Sequence, residues 1–242
     1  MPHGTPDWGL VGPKETTFGL DDLGELAVRL GSPVQWDRRG DVVWWTIFDE
    51  GTSPVTITDA GAAGPTRLFT GESRQGAYSL KLTIQSLTAD ETEIEKFLPA
   101  SKYSGLGLEF HFTTHGAEGI WEADLFVRRW DEWWRGRVRW DSVAGTLSYS
   151  DGTAIYPVFE TGVKAFETDL RWHVMKLVID LNARRYSRLI LDSDEYDMGA
   201  YPLPGALLGG EPYWIPDIHY FGNGDDDVVD YVDSIIVTQN EP

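Results

Sequence analysis

The 242-residue chain contains no cysteine, so disulfides and thiolate chemistry play no part in it. Basic residues are scarce: 20 Lys and Arg stand against 39 Asp and Glu, a formal net charge of −19. A surface of that sign repels phosphate backbones and anionic headgroups, which argues against nucleic-acid partners and membrane insertion. No apolar run approaches the length needed to span a bilayer. The opening MPHGTPDWG lacks the basic-then-apolar layout of a secretory signal. Work outside a cell would then require another exit, such as virion assembly or lysis, or a leader already removed. Helical periodicity is nearly missing too. It occurs at 21–30, where Asp21 or Asp22 can cap and Leu23, Leu26 and Leu30 share a face before Gly31 and Pro33.

Aromatic residues are abundant instead, with 11 Trp, 10 Tyr and 10 Phe, side chains that pack well on a pleated surface. The dominant period is two. Tyr78, Leu80, Leu82 and Ile84 alternate with polar residues, as do Leu106, Leu108, Phe110 and Phe112. Trp121, Ala123, Leu125 and Val127 do the same, although Phe126 interrupts the polar side. The run at 42–48 suits a buried strand, and Asp151-Gly152 predicts a hairpin before a strand at 153–159. Further strands are expected at 172–180, 186–191 and 228–238, with a long loop between the last two marked by Pro202, Pro204, Pro212 and Pro216. Many short strands without alternating helices predict an all-β protein of two packed antiparallel sheets, a sandwich over 41–242 preceded by an extended arm and one short helix over 1–40.

Several segments carry a resemblance. FDEG at 48–51, SRQGAYSLKLTI at 73–84 and VDSIIVT at 232–238 resemble the opening, middle and closing strands of jelly-roll carbohydrate-binding modules. RWHVMKLVIDLNARRYSRLILD at 171–192 is similar to a strand pair of laminin-G and concanavalin A-like sandwiches. HGTPDWG with DLGELAVRLGSPVQWDRRGDVVW is similar to the N-termini of phage structural proteins that carry a lectin-like sandwich. The resemblance implies a jelly-roll, concanavalin A-like fold. It also implies a virion surface or other extracellular setting, where the arm would contact copies of the chain or other surface proteins. A structural Ca2+ would sit where the first and last strands meet, on Asp49, Glu50 and Asp233. The run Asp225-Asp226-Asp227 with Asp230 invites the same ion, or is a solvated acidic loop.

Two constellations bear on chemistry. Glu122 and Asp124 form an E-x-D pair on one strand face, but Phe126 and Val127 stand where a glycosidase of this architecture would carry its second acid. The pair therefore reads as solvated or ion-paired carboxylates beside Arg128 or Arg137, and no catalytic residue is assigned. The segment WDEWWRGRVRW at 130–140 gathers Trp130, Trp133, Trp134, Arg135, Arg137 and Trp140. Those residues suit a protein interface, a platform on which sugar rings stack, or a division between core Trp and ion-paired Arg. The five histidines, His3, His111, His115, His173 and His219, are scattered and expected at the surface. The sequence thus predicts a non-enzymatic structural or decoration protein of a virion surface. The alternative is a carbohydrate-binding module or lectin, and a remote third reading is a glycoside hydrolase.

Overall fold

Strands β1 (Asp41–Thr46), β2 (Thr56–Ala60), β3 (Gly64–Phe69), β4 (Ser79–Ile84), β5 (Glu91–Glu95) and β6 (Leu98–Pro99) open the sandwich. Then come β7 (Gly105–Thr113), β8 (Ile120–Arg128), β9 (Glu132–Asp141), β10 (Thr146–Tyr149), β11 (Val158–Thr161) and β12 (Trp172–Asp180). Last are β13 (Arg185–Leu191), β14 (Asp194–Asp197), β15 (Gly205–Leu207), β16 (Tyr213–Phe221) and β17 (Val228–Gln239). The computed structural model describes residues 37, 39–61, 64–84, 90–101, 104–114, 119–164, 172–207, 209–222 and 228–242. The chain divides into two units, Met1–Arg38 and Arg39–Pro242, and the second is the sandwich. The expected arm and the helix at 21–30 lie outside the described residues, as do Asp225, Asp226 and Asp227.

The strands form two antiparallel sheets of jelly-roll, concanavalin-like type. The first runs β14-β13-β12-β7-β17-β4-β3, with β1 also on β17; the second runs β11-β10-β9-β8-β16-β5-β2, with β15 on β9 and β6 on β16. Alternation sends every second side chain inward. Leu106, Leu108, Phe110 and Phe112 of β7 meet Trp121, Ala123 and Leu125 of β8, all fully buried. Trp121 stacks on Tyr220 at a centroid distance of 4.3 Å, and Phe112 lies 4.6 Å from Trp121. At Gly136 the sheets come so close that a Cβ would lie 2.5 Å from Ile179 Cγ2, which requires glycine on that inward position of β9.

Three local expectations are corrected. The run at 42–48 is a half-exposed strand rather than a buried one. Among the described residues β1 pairs only with β17, leaving Val42 and Trp45 each 43% exposed. The strand expected at 153–159 is confined to Val158–Thr161, because Asp151 Oδ1 captures the Thr153 amide and hydroxyl and widens the turn into a loop. The supposed proline loop contains β16, an interior strand of the second sheet. Pro216 fits there because its carbonyl accepts from Lys96 N at 3.0 Å, so its nitrogen faces the same side, at the break between β5 and β6.

Candidate functional site

The outward face of the second sheet gathers the chemistry. On β8, Trp121, Ala123 and Leu125 point inward, so Glu122, Asp124 and Phe126 point outward. The registers then bring outward residues into rows across the strands. One row reads Glu93, His219, Glu122, Arg139; the next reads Glu95, Asp217, Asp124, Arg137; a third sets Ile215 and Phe126 beside Arg135.

The carboxylates of Glu122 and Asp124 are fully buried although they stand on this face, because three guanidiniums cover them. Arg135 donates to Asp124 through Nε at 2.7 Å and also through Nη2. Arg137 donates to Asp124 through Nε and Nη2, at 2.9 and 2.6 Å, and its Nε lies 2.9 Å from Glu122 Oε1. Arg139 grips Glu122 Oε2 through Nε and Nη2, at 3.0 and 2.8 Å. Tyr156, on the loop after β10, accepts from Arg137 Nη1 at 3.1 Å. The Arg139 guanidinium lies 4.1 Å from the Tyr156 ring centroid and 5.0 Å from that of Phe221. Burial raises the Glu122 carboxyl above its ordinary range, with Arg137 and Arg139 opposing the rise. Arg137 moves upward: burial disfavours its charge, but Asp124 and Glu122 outweigh that.

On the acidic side, His219 Nδ1 lies 2.6 Å from Glu91 Oε1 and Nε2 lies 2.9 Å from Asp217 Oδ2. Burial disfavours the imidazolium, yet Asp124, Asp217 and Glu122 outweigh it and push His219 up to about 11. Glu93 is pushed up to about 7, by burial first and then by the adjoining Asp217, which burial also raises.

Beside these charges runs a row of aromatic rings. Trp133 stacks on Phe126 at 5.8 Å, Phe126 lies 5.9 Å from Tyr213, and Tyr213 lies 4.9 Å from Phe97, which is 63% exposed. The row crosses β9, β8 and β16 and ends in the segment between β5 and β6.

The Trp- and Arg-rich segment is thus divided by its own alternation. Trp133, Arg135 and Arg137 reach the outward face, while Trp130 sits 68% exposed in the turn before β9. Trp140 is buried in the core at 1% exposure, and Trp134 packs against that core under Arg184. Their inward positions on β9 correct their assignment as ligand residues. The histidines are corrected as well: His111, His173 and His219 are buried, and His3 and His115 lie outside the described residues. Burial, with Arg74 nearby, holds His111 well below the ordinary histidine value.

Asp49, Glu50 and Asp233 do not form a calcium cradle. Asp49 Oδ1 accepts from Ala77 N at 2.7 Å, and Glu50 Oε1 accepts from Thr46 Oγ1 at 3.3 Å. Asp233 accepts from the amides of Arg74, Gln75 and Ser234 at 2.8, 2.9 and 2.7 Å. Amide donors point where a cation would need open oxygens, and the residues do not fit the ion. Asp230, named with the acidic run, accepts from the Tyr220 hydroxyl at 2.6 Å. Among the described residues, potential metal ligands converge in two groups on the second sheet, Glu93–Asp217–His219 and Glu122–Asp124–His219.

The distant members of this site were missed in the sequence, where only E-x-D stood out. The signal was a recurring polar-apolar-polar triplet: Glu93-Ile94-Glu95, Glu122-Ala123-Asp124, Arg137-Val138-Arg139 and Asp217-Ile218-His219.

No protein-family model matches the chain, nor does the sequence of any curated protein. Solved structures do resemble it. The carbohydrate esterase vb_24B_21 of the Shiga toxin-encoding bacteriophage phi24B superposes with a TM-score of 0.52 at 13% identity, over 84% of this chain and 100% of that one. A sialidase superposes with a TM-score of 0.50 at 14% identity, over 86% of this chain. This chain spans only 19% of the sialidase's length. At such identities the likeness is one of fold.

Proposed function

We propose that the outward face of the second sheet binds a glycan and that the chain is a non-catalytic carbohydrate-binding sandwich. The observation that carries this reading is the continuous row Trp133–Phe126–Tyr213–Phe97 alongside guanidinium groups held in place by buried carboxylates. Sugar rings present apolar C–H faces that lie on aromatic rings, and their hydroxyl oxygens accept from guanidiniums. Side chains already held in place lose little freedom on binding. The same geometry favours binding over hydrolysis. A glycosidase needs one carboxyl free to protonate the leaving oxygen and another facing the sugar, whereas Glu122 and Asp124 are both buried under arginines.

Retention on insoluble polysaccharides tests the reading. Trp133→Ala and Tyr213→Ala should each weaken retention at least tenfold without changing the melting temperature, in line with about 1–3 kcal/mol for a stacking anchor. Trp130→Ala, outside the row, should bind as the parent does. An intact protein that holds no polysaccharide, or equal loss in all three variants, would sink the proposal.

A separate proposal concerns assembly at a virion or other extracellular surface, through the arm at 1–40. It draws on the Gly- and Pro-rich composition of residues 1–20. Removing residues 1–35 should reduce an oligomer to monomer by light scattering and leave the sandwich folded. An unchanged mass overturns it.

A further inference from the structure

The geometry points to a site for one divalent transition-metal ion of the zinc type, formed by Glu93 of β5 and by Asp217 and His219 of β16. This inference stands apart from the glycan reading, since it uses the acidic edge of the face and none of the aromatic row.

Sequence places the ligands. Asp217 and His219 are i, i+2 on β16 and so share its outward side, and the register sets Glu93 directly opposite His219. One donor atom from each of the three lies within 4.8 Å of the other two. Donors bound at about 2.1 Å to a common ion stand about 3–3.5 Å apart, a span that small side-chain rotations bridge from here.

Two buried atoms lack the partners they would otherwise need. Asp217 is 5% exposed, and its Oδ1 makes no hydrogen bond. His219 is equally buried; its Nε2 lies 2.9 Å from Asp217 Oδ2 and 3.6 Å from Asp124 Oδ2 as an ion-pair contact, with no hydrogen-bond partner. Leaving such groups unsatisfied is costly in a buried setting. A cation between them would satisfy both.

The surroundings match a metal-bound histidine. Nδ1 of His219 is 2.6 Å from Glu91 Oε1, so Glu91 holds the Nδ1 proton and Nε2, on the side of Asp217, is the nitrogen that would exchange its proton for a metal. One imidazole with two carboxylates suits zinc better than calcium or magnesium, which prefer all-oxygen shells. The neighbouring group of Glu122, Asp124 and His219 is less suitable, because the guanidiniums of Arg135, Arg137 and Arg139 already occupy its carboxylates. On zinc binding, Nε2 and the Glu93–Asp217 pair give up the protons they carry. The ion takes the place of those protons, and no redox change occurs.

The test is equilibrium dialysis of the chelator-stripped, untagged full chain against Zn2+ at pH 7.5, with bound zinc measured by mass spectrometry. One zinc per chain is expected, with a melting temperature that rises with zinc concentration. Ca2+ and Mg2+ should bind at least tenfold more weakly. Glu93→Gln, Asp217→Asn and His219→Ala should each lower zinc affinity at least tenfold. If His219→Ala does not fold, Glu93→Gln decides, since Glu93 is only partly buried and its loss removes a like charge beside Asp217. No zinc on the parent protein, or zinc retained equally by Glu93→Gln and Asp217→Asn, overturns the site.

Discussion

Arg137→Met is expected to destabilise the sandwich by about 3–5 kcal/mol, the cost of stripping a buried ion pair of one member. Arg137 is the central cation of the outward face. It reaches Asp124 with two nitrogens and comes within 2.9 Å of Glu122, while both carboxylates have no solvent exposure. Methionine keeps much of the side-chain volume and none of the charge. Arg135 and Arg139 each still hold one carboxylate, so the domain should fold, but with two buried anions and two cations where there were three. A shift of the urea midpoint at unchanged m-value would register the loss. Part of it should return at low pH, where Glu122, raised by burial, takes up a proton and no longer needs a cation. A loss below about 1 kcal/mol would show that water reaches these carboxylates and that the arginines are not their main support.

His219→Gln should change how stability depends on pH. His219 is raised to about 11 in the folded protein, from an ordinary 6.5. Its contribution is therefore fully present below pH 6.5 and is lost as pH climbs from 6.5 through 11. Within that window a single proton held by the folded state alone gives a slope of about 1.4 kcal/mol per pH unit. Glu93 is raised to about 7 from 4.5, so its contribution declines with rising pH between those values. His111, lowered by burial, acts in reverse and removes stability as pH falls below 6.5. The groups facing His219 are Glu91, Glu93, Asp124, Glu122 and Asp217, all acidic, which is why the proton is held so firmly. Urea titrations at pH 6, 8 and 10 should show the parent losing stability steadily and the Gln variant losing much less. Parallel curves would mean that His219 is neutral in the folded protein.

Much of the architecture was legible because the inner faces keep strict alternation. Leu106 to Phe112, Trp121 to Val127 and Trp172 to Asp180 could be read directly as strands, and two-sheet packing followed from their number. The failures have physical causes. A strand's edge or interior position depends on its partners, which is why Val42 to Phe48 looked buried. Pro216 argued against a strand because its tolerance rests on a break in the neighbouring β5–β6 edge, and no local pattern shows that break. For the site, the E-x-D pair and the outward arginines were visible, since spacing i, i+2 is local. Glu93, Asp217 and His219 reach it only through register between paired residues 93 to 126 positions apart.

The pairing of β1 with β17 has a consequence for how the chain acquires its structure. Asp41 and Asn240, bonded at 3.3 Å, lie 199 residues apart in sequence. Bringing such distant segments together carries a large loop-closure cost before any contact repays it, and folding dominated by such pairings is slow. At a synthesis rate of roughly 5–20 residues per second, the segment that becomes β1 waits about 10–40 seconds on the ribosome for its partner. Throughout that interval Val42, Trp44 and Trp45 stand without their ladder, and a nascent chain presenting them is a natural client for a chaperone.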